Sequence, residues 1–195
     1  MGEASGGSPF DIHSPTGTGE LLAALDTQAA AIADYMAALP LEEFLAPQGE
    51  KWSPADHLRH LARSVKGVSG GLAVPKVALA LRFGPTLRGS RPFEEVAAYY
   101  REALARGVDA GRFAPSAASP QDATEEWRAG VLRRWRDESD SLVARAGRWG
   151  ERALDHLRMP HPALGKLTAR EMLYFTLYHN AHHARMVVGR RGPAI

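Results

Sequence analysis

Residues 168–186 read TAREMLYFTLYHNAHHARM, and this stretch decides the fold. Thr168 stands three residues before Glu171, the pairing of a capping box that opens a helix. The run that follows contains no Gly or Pro until Gly189, so it reads as one long helix. Within it, His179 and His183 are four residues apart and fall on the same helical face. At about 100° per residue, Met172, Phe175 and Met186 share that face. Two imidazoles therefore point towards the core. A buried imidazole needs a hydrogen-bond partner, a proton or a metal, and a pair at this spacing can share one ion. His182 lies off the face by roughly a fifth of a turn.

Upstream, the chain holds three more long helical patterns. The first runs from about Gly19 to Leu39, with Leu21, Leu25, Gln28, Ile32 and Met36 at helical spacing before Pro40. The second opens at Ser53-Pro54, with Ser53 as N-cap, Pro54 at the first helical position and Asp56 in the first turn. Gly67, Gly70, Gly71 and Pro75 predict a kink at its far end. The third runs from about Thr124 to Trp149, with Trp127, Val131, Trp135, Leu142 and Trp149 on one face and Glu138 among them. A loop over 84–93, a shorter helix from Phe93 to Arg106 and a Ser/Ala/Pro linker separate the second and third patterns. A second linker contains Met159-Pro160-His161-Pro162. Nothing alternates with the period of a strand. The expected fold is all-α, a four-helix bundle with a crossover segment between the second and third main helices. Residues 20–190 form this domain, and 1–19, rich in Gly, Ser, Thr and Pro, read as a mobile tail.

The composition narrows the function. A chain of 195 residues suits one domain with a real core. The net charge is +2, from 24 Lys and Arg against 22 Asp and Glu, with no basic block of the kind that binds nucleic acid. The absence of cysteine excludes disulfides, thiolate ligands and a cysteine nucleophile, and fits a reducing cytoplasm. No apolar run approaches a membrane span, and the N-terminus lacks the pattern of a signal peptide.

Two histidines do not complete a catalytic metal site, for which three protein ligands and an open position are common. The second helix offers His57 and His60. Periodicity leans to His57, because His60 is off the apolar stripe by about a third of a turn. His156 and His161 lie near a linker at the bundle end, and His13 lies in the tail.

Three segments resemble motifs of the DinB/YfiT-like family. Trp52-Ser53-Pro54-Ala55-Asp56-His57-Leu58-Arg59-His60-Leu61 resembles its first motif, with Trp, Ser or Thr, an acidic residue, then His and an aliphatic residue. His161 to Thr168 resembles its HP-x-x-G-x-x-T lead-in to the last helix, and His179 to Arg185 its H-x-x-H-H signature. The resemblance spans about Leu21 to Val188. It departs where Ala184-Arg185-Met186 replaces the Gly-Gln that often follows the last motif. It implies a four-helix bundle with one metal held by His60, His179 and His183, and so takes His60 over His57. His57, His182, Glu138 and Tyr178 become candidates for supporting the ligands or meeting substrate.

The resemblance also implies an activity. Some members resemble S-transferases that use a low-molecular-weight thiol such as bacillithiol or mycothiol, others thiol-dependent isomerases. Imidazole ligands favour Zn or Ni, with Fe and Mn compatible. The leading expectation is a metal-activated thiol transferring to an electrophilic small molecule. A metal hydrolase, with Glu138 as the one core-facing carboxylate to serve as base, is the alternative. A non-catalytic stress-response protein stapled by its metal is the third. Apolar bundle faces leave a homodimer open, and neither nucleic acid nor membrane is an expected partner.

Overall fold

The computed structural model describes residues 10, 12–47, 52–116 and 123–189. Its helices are α1 (Thr18–Ala37), α2 (Leu41–Leu45), α3 (Pro54–Ala73), α4 (Lys76–Phe83), α5 (Phe93–Ala105), α6 (Glu125–Ala146), α7 (Glu151–His156) and α8 (Ala169–Val188). The four long ones, α1, α3, α6 and α8, make the bundle. Helix α6 packs on both α1 and α3, and α8 packs on both α1 and α3, so the ring order is α1–α6–α3–α8. Helices α4 and α5 and a short 3-10 turn at Gly111–Phe113 form the crossover between α3 and α6. Helix α5 lies against α8.

The helix starts follow from local chemistry. Ser53 and Asp56 form a capping box on α3, and Thr168 and Glu171 form one on α8. Thr124 caps α6 by accepting the Trp127 N–H. Each cap satisfies backbone donors that the first turn leaves orphaned. The expected Trp stripe is core in part: Trp127 is only half-buried, while Trp135 is fully buried and its indole N–H donates to the Ala29 carbonyl at 2.9 Å. Trp149 donates to the Leu72 carbonyl at 3.2 Å. Both indoles are thus fixed across the bundle.

One expectation, that nothing forms a strand, needs correcting. Gly67, Gly70 and Gly71 lie within α3, which runs on to Ala73 before Pro75. Of the three, only Gly71 is a place of close approach: a Cβ there would stand 2.8 Å from the Met159 sulfur, whereas one on Gly67 would make an ordinary 3.5 Å contact with the Phe113 ring and one on Gly70 would meet nothing within 4 Å. The second linker is a β-hairpin. Strands β1 (Arg158–His161) and β2 (Gly165–Thr168) pair antiparallel, Met159 opposite Leu167 and His161 opposite Gly165. Its three-residue loop closes at Gly165, whose φ of 74° suits the left-handed position such loops require. Lastly, most of the segment read as a tail lies outside the described residues, but Phe10 within it is buried, edge-on to Tyr35 at 5.8 Å. The Arg185 guanidinium donates to the Phe10 carbonyl at 2.9 Å. No helix among the described residues is long and apolar enough to cross a membrane.

Candidate metal centre

Helices α3 and α8 face each other across one end of the bundle, and their histidines meet there. His60, His179 and His183 are all buried, and one ring nitrogen of each lies within 4.8 Å of the others. The Nε2 atoms of His60 and His179 are 3.1 Å apart. Two nitrogens bound to one ion at about 2.0–2.1 Å stand about 2.9–3.4 Å apart at ordinary coordination angles, so this pair already has a chelating separation. The remaining edge of His60 is fixed. Its Nδ1 is 3.1 Å from the Phe113 carbonyl, which can only accept. Nδ1 therefore carries the proton and Nε2 keeps its lone pair towards the cluster, the arrangement that orients a metal-binding imidazole. Without an ion, His179 must donate its Nε2–H to that lone pair, and its buried Nδ1 then has no hydrogen-bond partner. The donor set and geometry fit a divalent ion.

Electrostatics keep these rings neutral. Burial pushes the His179 and His183 pKa values well below the ordinary imidazole value, and their mutual repulsion and that of neighbouring histidines adds to it. Burial also lowers His60. Neutral imidazole is the ligand form.

The other candidates separate. His57 is buried and meets His183 through Nδ1–Nδ1 at 2.8 Å, while staying outside the three-histidine group. It is a hydrogen-bond partner of a cluster member. His182 lines the adjoining cavity and touches the Tyr100 and His183 rings. Tyr178 does not line it: its ring packs on Phe93 and Tyr100, under the Arg101 guanidinium. Glu138 is also away from the cavity and forms ion pairs with Lys66 at 3.7 Å and Arg134 at 3.6 Å. Half-buried on the side of α6, it reaches these two cations rather than the histidines. His156 is bonded to the Thr86 carbonyl and takes no part.

The cluster opens on a cavity of roughly 760 Å³. Apolar side chains such as Val68, Leu79, Met172 and Phe175 dominate its wall. Trp52 covers the histidines, its ring parallel to His183 at 5.9 Å and 4.9 Å from His60. Two further residues, one of them not singled out by the sequence, also belong to the wall. Tyr100 has its pKa raised to about 12 by burial and stays a neutral phenol. His161, on β1, packs edge-on to Phe175 at 4.3 Å, and Phe175 stacks on His179 at 4.9 Å. The proline-flanked His161 carried a signal through its motif and its place near the bundle end, and Tyr100 carried none.

No curated protein and no solved structure matches the chain. The model of the DinB superfamily matches residues 24–187, which include α3, α8 but for its last residue, and all three clustered histidines. The chain belongs to the DinB superfamily.

Proposed function

We propose that this protein binds one divalent metal, Zn or Ni before Fe or Mn, through His60, His179 and His183, and acts as a thiol S-transferase. The observation that carries this reading is a neutral three-histidine cluster opening directly on an apolar cavity. When bound, a divalent ion held by neutral ligands keeps its full charge and lowers the pKa of a thiol beside it. A low-molecular-weight thiol of bacillithiol or mycothiol type would enter as cosubstrate, lose its proton to solvent and attack an electrophilic carbon. The S–C bond forms as the leaving group departs with its electron pair. The protein supplies the rest. The Phe113 carbonyl orients His60, His57 supports His183, Trp52 shields the cluster, and the apolar wall holds the electrophile away from water.

A hydrolase would need a base beside the cluster. Glu138 is committed elsewhere, and the one carboxylate among the described lining residues, Asp109, accepts the Gly111 N–H at 2.9 Å. This favours the transferase, whose nucleophile needs no carboxylate. Thiol chemistry also suits a reducing cytoplasm.

Elemental analysis of the untagged protein tests the site, with His179→Ala and His183→Ala alongside. About one metal per chain, lost in both variants, is expected. Thiol-dependent conversion of an aryl chloride by the loaded protein is then expected, and no conversion with either thiol type overturns the transferase reading. No metal at purification, and no uptake of Zn or Ni, overturns the centre itself.

A further inference from the structure

The hairpin that carries His161 belongs to no part of the chemistry above, yet it delivers this imidazole to the cavity one aromatic ring away from His179. Its protonation pattern is decided by the turn. The Ala163 and Leu164 N–H groups both donate to His161 Nδ1, at 3.2 and 3.0 Å. A nitrogen that accepts two backbone donors carries no proton, so the neutral ring must be the Nε2–H tautomer. Nε2 is not among the buried atoms lacking a partner, and no protein acceptor is bonded to it among the described residues. The accessible Nε2 edge of this cavity-lining residue is therefore a hydrogen-bond donor in the neutral ring, not an acceptor. We propose that His161 is a specificity residue whose Nε2–H binds an acceptor oxygen of the cavity's ligand, selecting apolar molecules that carry a carbonyl or similar oxygen. Burial keeps the ring neutral, with its pKa lowered to about 4, so the donor is uncharged near neutral pH. Pro162 and Gly165 fix the turn, and Phe175 fixes the ring plane, so the donor is pre-aimed. The selected oxygen would sit on the electrophile, so the inference rests on the proposed reading for its catalytic meaning, though not for its binding.

The test uses two ligands of the same shape, acetophenone and α-methylstyrene, which differ in a carbonyl oxygen against a methylene. Their affinities are read from Trp fluorescence with and without added Zn. His161→Asn separates donor from turn, because an Asn side-chain oxygen accepts the same backbone N–H groups while lacking the ring's far edge. The ratio of acetophenone to α-methylstyrene affinity is expected to fall about fivefold in His161→Asn, the worth of one neutral hydrogen bond, with α-methylstyrene affinity unchanged. Nitrogen NMR of the wild type should show the Nε2–H tautomer, and bound acetophenone should show a downfield carbonyl carbon. An unchanged affinity ratio, an Nδ1–H tautomer, or an unshifted carbonyl overturns the proposal. Failure of Zn to bind would sink the metal reading alone, since the ligand pair is compared in metal-free protein as well.

Discussion

Replacing Glu171 with Ala should be among the most destabilising single changes in this chain outside the apolar core. Its side chain is fully buried at the start of α8 and works as a hub. One oxygen accepts from the Arg88 guanidinium at 2.8 Å, and from the Arg91 backbone N–H and Nε, each at 2.9 Å. The other accepts from Thr168 N–H at 2.9 Å, closing the capping box, and from Arg91 Nη2 at 3.3 Å. Arg88 is nearly half exposed, so its share is screened and small. Arg91 is mostly covered and would be left without its counter-charge. Loss of the cap costs about 1 kcal/mol, and loss of a buried charge-assisted bond about 1.5–3 kcal/mol. Together with the stranded donors, the expected cost is about 3–5 kcal/mol, or a fall in Tm on the order of 6–20 °C for a chain of this size. Glu171→Gln keeps an acceptor and should lose roughly half as much. Urea unfolding followed by circular dichroism measures both, with m unchanged if the native state is intact. Burial pushes the Glu171 pKa up, but its hydrogen bonds to Arg91, Thr168 and Arg88 together outweigh burial, and the pKa is lowered in the fold. Its stabilisation is therefore present above the ordinary carboxylate pKa and is lost as pH falls through the folded value. The gap between wild type and Glu171→Ala should shrink in that acidic window. A loss below about 1 kcal/mol at pH 7, or a gap that persists at acid pH, would refute the hub argument.

Four further outcomes follow from the same structure. Metal-free protein should weaken as pH falls from about 6.5 towards 4, because His161 has its folded pKa lowered to about 4 and the unfolded chain binds that proton first; a flat urea midpoint across this window argues against a buried neutral ring. Zn at about 100 times its Kd should raise stability by about 2.7 kcal/mol, and a chelator should reverse it; calorimetry with and without chelator reads this directly. Gly71→Leu should drive Met159 out of its place and cost about 1–3 kcal/mol by overpacking, with ligand affinity falling as the cavity wall shifts; unchanged melting would mean that the hairpin moves freely. Phe10→Ala should cost about 3 kcal/mol by emptying the place it fills against Tyr35, and a loss near zero by thermal melting would refute its role as an anchor.

How much of this was legible depended on signal length. Both capping boxes and the face shared by His179 and His183 are written in strings of residues within one helix, where the 3.6-residue period is reliable. The choice between His57 and His60 is not. Helix α3 packs against both α6 and α8, so its buried arc is wider than a single stripe and takes in both histidines. Periodicity ranks residues by distance from the stripe's centre, whereas the cluster forms at the seam between two helices. The hairpin was invisible for another reason. Its strands have four residues each, too few to display alternation, and Pro160 looks like a strand breaker. A proline is tolerated there because a two-stranded ribbon consists only of edges. For Glu138, position on an apolar face does not say which way the carboxylate reaches, and here it pairs with Lys66 and Arg134.

The charge balance of the site gives the proposed chemistry its direction. Three neutral imidazoles contribute no negative charge, and burial works to keep them so. The wall beyond them is apolar, and its single described carboxylate is tied to the Gly111 loop. A divalent charge placed at this cluster would therefore be uncompensated by the protein, in surroundings where Coulomb attraction is weakly screened. What such a site binds best is an anion brought in from outside, and a thiolate supplies one together with the nucleophile. An aspartate or glutamate installed beside the cluster should blunt that preference. Replacing Ser64, which also lines the cavity, with Asp tests it: the variant should retain metal but hold an added thiol more weakly, as read from the spectrum of the cobalt-substituted protein. Equal thiol affinity in Ser64→Asp and wild type would mean that the open charge of the cluster is not what draws the cosubstrate.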